Sequence, residues 1–416
     1  MAHTADSTAE IMTRTEIAPT NLARASQRDV SVSLTVCSDI TTIADEWREF
    51  QREADCTVFQ TIEWMETWQR HIGAGKDVRP AIVLGRDREQ KLLFIFPLAT
   101  QPSGFVRELV WLGSELCDFN APLLAPRFPQ SIQPASFAPL WTSITQAVQG
   151  DPRLRYDLIN LEKMPATIGN QQNPMLGIGV TLNPSGAYEV AISGSWDTFY
   201  SAARSSSTRR RDRTKRNRLA EFGDIQHFTP DDPKGIASAL GTLMTQKARS
   251  FARMGIGNLF AKPGYREFYT ALATAPQSKH LVHVSELKVG TRAAAVNLGL
   301  KFRDRYYYVL ASYDDDEQLS RCGPGAAHLH ELLRYAIEHG FTVFDFTIGD
   351  EPYKRDWCDQ SRPLYDYVAS VSMTGSLIAS RMRLTHWLKR SIKQTPLLWA
   401  AFSKYRALLG SMLPRK

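Results

Sequence analysis

Residues 306–357 read YYYVLASYDDDEQLSRCGPGAAHLHELLRYAIEHGFTVFDFTIGDEPYKRDW, and this succession decides the fold. The pattern predicts a strand over Tyr306–Tyr313, then a glycine turn at Arg321-Cys322-Gly323-Pro324-Gly325-Ala326. A helix that ends at Gly340 follows, and then a second strand over Val343–Phe346. Such a turn leaves unpaired backbone N–H groups at a helix N-terminus, which suits a phosphate or diphosphate. An ordinary helix start with a proline in its first turn is the alternative interpretation.

The order of elements predicted from the pattern is the same in both halves of the chain. Each half shows helices, then three antiparallel strands, then a helix and a further strand. Glycines and prolines at 169–186 mark the junction. We predict an α/β fold, with a mixed, mostly antiparallel sheet flanked by helices in each half. The predicted parts are a disordered tail (1–30), two domains (31–183 and 184–375, the second with a long basic helix at 196–222) and a basic amphipathic tail (376–416).

The composition fits a globular protein with two cores. The chain has 416 residues, of which 43% are hydrophobic. It has no apolar run of the roughly 20 residues that a membrane-spanning helix needs, and its first residues lack the pattern of a secretory signal. The cysteines are scattered, which predicts reduced thiols and a cytoplasmic protein: Cys37, Cys56, Cys117, Cys322 and Cys358. We expect no metal, because the histidines are isolated or lie in apolar patterns: His227, His280, His283, His328 and His330.

The formal net charge of +7 is concentrated in two segments. Residues 204–218 hold eight basic residues and one acidic residue, and residues 376–416 hold nine basic residues and none that is acidic. Local anionic partners are therefore expected. No aromatic residues interleave with the 204–218 run, so nucleic acid is not the expected partner; an intramolecular or membrane partner is favoured. The 376–416 pattern is typical either of a helix at the surface of an anionic membrane or of one packed on the body.

Several side chains of the deciding segment are candidates for chemistry. Asp345 lies between two phenylalanines, where burial should raise its pKa and suit it to act as a general base. It is otherwise an edge residue that caps a loop or pairs with Lys354. Lys354 is a candidate for stabilising developing negative charge, and Tyr353 for protonating a leaving thiolate. Arg249 is expected either to complement the end of its helix or to anchor substrate above the glycine turn.

The chain resembles the GNAT acyltransferase superfamily, and within it the tandem-domain CelD/BcsL-like branch related to the Fem peptidyltransferases. The likeness covers about residues 31–375. The residues that carry it are Phe59-Gln60 with Trp64 and Trp68, Pro97-Leu98, Leu112-Gly113 with Asp118, the run 209–219, Arg249, Tyr313, Gly323-Pro324-Gly325, Gly340, Asp345-Phe346, Gly349, and Tyr353-Lys354 with Trp357. The glycine turn departs from the family's usual Arg/Gln-x-x-Gly-x-Gly/Ala spacing, and Pro324 removes one N–H donor.

The resemblance implies tandem GNAT-like domains and an acyltransferase that uses acyl-CoA, such as acetyl-CoA, with no metal. The implied acceptor is a small molecule or glycan in cellulose, exopolysaccharide or cell-envelope biosynthesis. The implied donor-binding residues are Arg321, Gly323, Gly325 and Ala326. Arg249 and Tyr313 are implied to bind substrate, and Asp345, Tyr353 and Lys354 to act in catalysis.

Three hypotheses follow from these observations. The first is an acyl-CoA-dependent N- or O-acyltransferase, in the cytoplasm or at the inner face of the membrane. The second keeps the fold but uses aminoacyl-tRNA as donor, as the Fem relatives do. The third is a non-catalytic, membrane-associated component of a polysaccharide synthase complex.

Overall fold

The structure is a computed structural model that describes residues 32–394. The tail predicted over 1–30 and the part of the predicted basic tail after residue 394 lie outside the described residues. The helices are α1 (Ala44–Glu53), α2 (Ile62–Trp68), α3 (Phe128–Ser131), α4 (Pro134–Gly150), α5 (Trp196–Ala203), α6 (Ser206–Ala220), α7 (Pro233–Arg253), α8 (Tyr265–Thr274), α9 (Glu317–Arg321), α10 (Pro324–Glu338) and α11 (Met373–Gln394).

The strands are mostly short, and several consist of two residues. They are β1 (Ser33–Cys37), β2 (Arg79–Pro80), β3 (Ile82–Arg86), β4 (Leu92–Phe96), β5 (Leu98–Ser103), β6 (Val106–Trp111), β7 (Leu123–Leu124), β8 (Leu158–Pro165), β9 (Thr167–Ile168), β10 (Gln171–Gln172), β11 (Thr181–Leu182), β12 (Ala187–Ala191), β13 (Ile225–Phe228), β14 (Val282–Val289), β15 (Arg292–Phe302), β16 (Arg305–Tyr313), β17 (Val343–Ile348) and β18 (Leu364–Ser370).

The second half forms one six-stranded sheet in the order β12-β17-β16-β15-β14-β13. Its strands are antiparallel except for β16 and β17, which are parallel because α10 returns the chain between them. Phe344 and Phe346 face the α10 side, where they pack with apolar residues of that helix such as Leu332. Alternate residues of β17 point to opposite faces, so Asp345 faces the first half of the chain.

The first half repeats this arrangement. Its strands form a four-stranded sheet (β1-β3-β4-β7) and most of a six-stranded one (β11-β18-β8-β6-β5-β2). Here β6 and β8 are the parallel pair, and α4 lies between them in the chain. The predicted α/β fold, with a mixed, mostly antiparallel sheet and flanking helices in each half, is therefore confirmed.

One strand crosses between the halves and was not predicted. Strand β18 follows the second sheet in the chain but pairs antiparallel with β8 of the first half. The halves also share a core, since the Trp64 and Phe268 rings lie 5.0 Å apart and the Phe59 and Tyr307 rings 5.9 Å apart. The predicted domain boundaries stay predictions, and the exchanged strand shows that both halves contribute to the first sheet.

The prediction of one long basic helix over 196–222 is wrong, because this segment forms two helices. Helix α5 ends before Arg204, and α6 begins after Ser205. Ser205 has an extended backbone (ψ 155°), and its hydroxyl accepts a hydrogen bond from the Thr208 N–H. A serine in this position caps a new helix and so competes with continuation of the old one.

Candidate functional site

The parallel strands β16 and β17 separate soon after they begin. Their ladder joins Arg305–Tyr307 to Val343–Asp345 and ends there, although β16 continues to Tyr313. At the same point β17 bulges, because Phe346 has no partner on β12. Thr347, next in the chain, has φ +60°, which is strained for a β-branched residue. The two strands thus form a V whose vertex lies at Tyr307 and Asp345.

The glycine turn lies at the open end of this V. Gly323 caps α10 with φ +68°, a conformation that favours glycine. The first amide bonded to the turn is that of Ala327, which donates to the Gly323 carbonyl (3.1 Å). Pro324 has no N–H, so Gly325 and Ala326 supply the first-turn amides without a partner inside the helix. A Cβ at Gly325 would lie 3.3 Å from the Tyr313 ring, which places the turn and Tyr313 side by side.

A cavity of about 960 Å³ opens beside the turn, between α5, α6 and α10. A Cβ at Gly323 would lie 4.0 Å from the Lys215 ammonium, so this cation faces the helix N-terminus. Arg216 ties α6 to α10 through Glu331 (2.8 Å). The cations lining the cavity are Arg209, Arg210, Arg213, Lys215, Arg216 and Arg334, and the acidic residues are Asp197, Asp212 and Glu331. The cavity is therefore positively charged and adjoins two free amides, an arrangement that suits an anionic ligand.

The predicted anion-binding and substrate-binding arginines have acidic partners. Arg321 is exposed and pairs with Glu317. Arg249 binds one carboxylate oxygen of Asp315 (3.0 Å), and Arg253 binds the other (3.2 Å). Because Asp315 lies in the loop after β16, these pairs hold α7 against the segment that leads to the glycine turn.

Tyr353 and Lys354 follow β17 on a short helical turn. Lys354 is only 3% exposed, and its ammonium donates to the carbonyls of Ile348 (2.8 Å) and Thr347 (3.3 Å). It also pairs with Glu351 (3.0 Å), so it fixes the end of the bulged strand. Tyr353 is partly exposed beside Phe346. Burial raises the pKa of the Tyr353 phenol, which therefore keeps its proton at neutral pH.

Asp345 lies at the vertex of the V and faces a second cavity, of about 340 Å³, between the two halves. It is 3% exposed; burial, with help from Glu189, raises its pKa to about 7. Arg305 lies 3.4 Å away but binds Glu189 more closely, at 2.5 Å. The Thr347 amide also donates to Asp345 (2.8 Å). The raised pKa agrees with the expectation from sequence, although its main partners are Arg305 and Glu189 rather than Lys354.

Two further ionisable groups near the bulge were not among the residues predicted to act in catalysis or binding. Asp118, in a first-half loop, has its pKa raised by burial and partly lowered again by Lys163, Thr347 and Lys354. Lys247, on α7, has its pKa lowered by burial and partly raised again by Glu351. No local sequence signal predicted either pKa shift, since both environments arise from packing between the halves.

The corresponding opening in the first half is filled. Strands β6 and β8 pair only at Glu108–Leu109 with Leu158–Ile159. The Lys163 ammonium then donates to the carbonyls of Ser114 and Cys117, at 2.6 Å each. Asn120 binds the same strand through the carbonyl of Lys163 (3.1 Å). Helix α4 also lacks a glycine cap, since Gln133 precedes it. A donor site of this kind is therefore expected in the second half alone.

Three of the histidines, which the sequence showed as isolated or in apolar patterns, lie close together where α10 meets β13 and β14. The rings of His227 and His328 lie 5.6 Å apart, and those of His227 and His283 lie 6.4 Å apart. Burial lowers the pKa of all three, so they are neutral at pH 7. Among residues 32–394, no three His, Cys, Asp or Glu side chains are placed to hold a metal ion.

Comparison with known proteins agrees with this geometry. Residues 206–355 match the family model described as "Acetyltransferase (GNAT) domain". This range holds α6, the V and the glycine turn. The chain contains a GNAT-type acetyltransferase domain. It is thus an acyltransferase by class, and its GNAT domain is the half with the open V. A search with the sequence finds no match among curated proteins.

Solved structures share the fold over most of the chain. The crystal structure of FemX aligns with a TM-score of 0.55 at 10% identity, covering 81% of this chain and 97% of FemX. A conserved protein of unknown function from Bacteroides thetaiotaomicron VPI-5482 aligns with a TM-score of 0.50 at 12% identity, covering 82% and 100%. At these identities the likeness shows the two-half fold and nothing finer. No helix within residues 32–394 has the length and apolar character to cross a membrane.

Proposed function

We propose that the chain is an acyl-CoA-dependent N- or O-acyltransferase whose donor site is the open V of the GNAT domain. The observation that carries the proposal is the juxtaposition of the V, the free amides of Gly325 and Ala326, and the Lys215 ammonium facing Gly323. The diphosphate of the donor would bind at the turn, where the helix dipole and the α6 cations favour negative charge. The thioester arm would then extend between β16 and β17 towards Asp345.

The residues at the vertex support direct transfer. The acceptor's amine or hydroxyl would enter from the 340 Å³ cavity and attack the thioester carbonyl, forming a C–N or C–O bond as the C–S bond breaks. Asp345, with a pKa of about 7, is suited to take the proton that the acceptor loses. We assign to Tyr353, partly exposed beside Phe346, the return of a proton to the departing thiolate. Lys354 holds the strand end in place, and holding both reactants supplies orientation.

The polar lining of the acceptor cavity supports a polar acceptor. Arg303, Arg305 and Arg362 line it together with carboxylates that include Asp55 and Glu189. By its resemblance to the CelD/BcsL-like branch, we infer that the acceptor is a sugar or a polysaccharide precursor of cellulose, exopolysaccharide or envelope synthesis. The cytoplasm is the expected compartment.

Calorimetric titration with CoA and acetyl-CoA tests the donor site. We expect binding to be weakened at least about tenfold by Lys215→Glu, which reverses the charge facing the turn. Gly325→Trp should abolish binding, because an indole there would displace the Tyr313 ring and fill the space in front of the amides. Lys91→Glu, an exposed change in the first half, is the control. Wild-type affinity in both site variants would contradict the proposal.

An aminoacyl-tRNA donor is the second candidate. The cations of α6 that line the 960 Å³ cavity favour it, since they exceed what a single diphosphate needs. Affinity for tRNA that falls steeply with salt, together with no heat on adding CoA, would identify this donor. Binding of neither ligand would favour the third hypothesis, a non-catalytic component of a synthase complex.

A further inference from the structure

Three exposed apolar residues lie along one end of the first-half sheet. Phe105 is fully exposed at the tip of the β5–β6 hairpin, and Val371 and Met373 are exposed where β18 leads into α11. Backbone hydrogen bonds bring these segments to the same edge: Asp157 N–H donates to the Arg107 carbonyl (2.8 Å), and Val371 N–H donates to the Asp157 carbonyl (2.8 Å). Large apolar side chains clustered on a surface indicate a contact site.

Helix α11 extends this surface as a stripe. Met373, Leu377, Leu384 and Leu388 are all exposed, the first two at 93% and 77%. Their spacings of four, seven and four residues place them on one face of the helix. The helix packs on β18 and β8 through its other side, where Ala379 is 1% exposed and a Cβ at Gly375 would lie 2.0 Å from the Asp157 carbonyl oxygen. The stripe therefore points away from the body of the protein.

The charge of this region selects one kind of partner. From Met373 to Lys416 the sequence has no acidic residue, and its basic residues are Arg381, Arg383, Lys389, Arg390, Lys393, Lys404, Arg406, Arg415 and Lys416. Arg381 is exposed on α11 itself, and Arg383, also exposed, donates a hydrogen bond to the Val368 carbonyl (2.8 Å). An apolar stripe on a helix whose charged residues are all basic is the pattern of an interfacial helix. Such a helix buries apolar side chains among acyl chains while its cations contact lipid phosphates.

We propose that Phe105, Val371 and the α11 stripe form a surface that docks onto an anionic phospholipid bilayer. The α11 helix would lie in the plane of the interface, with Phe105 inserted beside its first turn. The attraction combines burial of apolar area with electrostatic attraction to anionic headgroups, so binding depends on both. This surface is separate from the donor and acceptor cavities, since none of its residues lines either of them.

Vesicle flotation of the full chain tests this proposal without any donor or acceptor. We expect the protein to float with phosphatidylcholine vesicles that contain phosphatidylglycerol, and to float less at high salt or with phosphatidylcholine alone. Phe105→Ser and Leu377→Gln should each lower the partition coefficient about tenfold, as loss of a large buried apolar side chain implies. Both side chains are exposed, so folding should be unaffected.

Leu182→Gln provides the matched control, because Leu182 is exposed on β11, which pairs with the start of β18 at Tyr365. It should float like the wild type. The proposal is overturned if anionic vesicles do not bind the full chain, or if the two site variants float as well as the control. It is also overturned if sedimentation without lipid shows a dimer that Leu377→Gln dissociates, since the surface would then join two copies of the chain.

Discussion

Acid should destabilise the protein through the buried His283, and the structure allows the size of this effect to be worked out. The ring binds Tyr306 Oη through Nδ1 (2.9 Å) and Thr229 Oγ1 through Nε2 (3.3 Å). Tyr306 donates its own proton to Asn297 Oδ1 (2.9 Å). Nδ1 must therefore donate to Tyr306, and Nε2 accepts from Thr229. The neutral ring is satisfied as it stands, and a second proton, on Nε2, would reverse the bond to Thr229, whose hydroxyl would have to turn its own proton elsewhere.

The surroundings of His283 also oppose a positive charge. Burial, together with nearby His227, Lys301 and His339, lowers its pKa to about 3. Because the unfolded chain has a histidine pKa of about 6.5, it binds more protons than the folded chain below that pH, and stability falls as pH falls. A pKa of about 3 in the folded chain and about 6.5 in the unfolded chain lowers the unfolding free energy by about 2 kcal/mol at pH 5. At pH 7 the same difference lowers it very little.

Denaturant unfolding of the wild type and His283→Asn at pH 7.5 and pH 5.0 measures this effect. Asparagine keeps a donor near the Nδ1 position but does not titrate. We expect the loss of unfolding free energy between the two pH values to be about 2 kcal/mol smaller in the variant. His280→Asn removes an exposed histidine and should retain the wild-type loss. An equal loss in wild type and His283→Asn would refute the reasoning.

Three further predictions concern other sites. Gly264→Ala should lower the unfolding free energy by about 2 kcal/mol or more, because its φ is +82° and a Cβ would lie 1.9 Å from the His71 carbonyl oxygen. Gly75→Ala is the control for thermal unfolding, since a Cβ at Gly75 would enter open space and should not lower this free energy. The folded chain binds the proton of Asp345 more tightly than the unfolded chain does, so the unfolding free energy should fall as the pH rises from about 4 through 7. Denaturant unfolding of Asp345→Asn at pH 5 and pH 8 should lack this fall. Ser205→Ala should cost about 1 kcal/mol in denaturant unfolding through loss of the α6 cap.

The periodic parts of the fold were predictable from sequence. Strand β16, helix α10 and strand β17 were found from alternation, helical spacing and the stops at Gly323 and Gly340. Strand β18 was missed, because its partner β8 is some 200 residues away in the chain and no local pattern records that pairing. The break at Ser205 was missed because residues compatible with a helix stand on both sides of it.

The candidate site was likewise predictable from the sequence only in part. Gly325 was predicted to bind the donor and Tyr313 the substrate, and the structure places these two residues side by side. Lys215 was seen only as part of a charged run, because its approach to Gly323 depends on how α6 packs against α10. The pKa values of Asp118 and Lys247 are shifted because the two halves pack around them, and this burial is a property of the folded chain.

The sequence by itself determined the α/β class, the two similar halves, the glycine turn before α10 and the two basic segments, because helical and strand periods, turn residues and charges are local properties. Only the tertiary structure decided which half has an open V, since the first is filled by Lys163 and the second is not. It alone joined Phe105 to the α11 stripe and gathered the buried histidines. These features arise from contacts between residues distant in the chain, whose geometry is set by packing of the whole molecule.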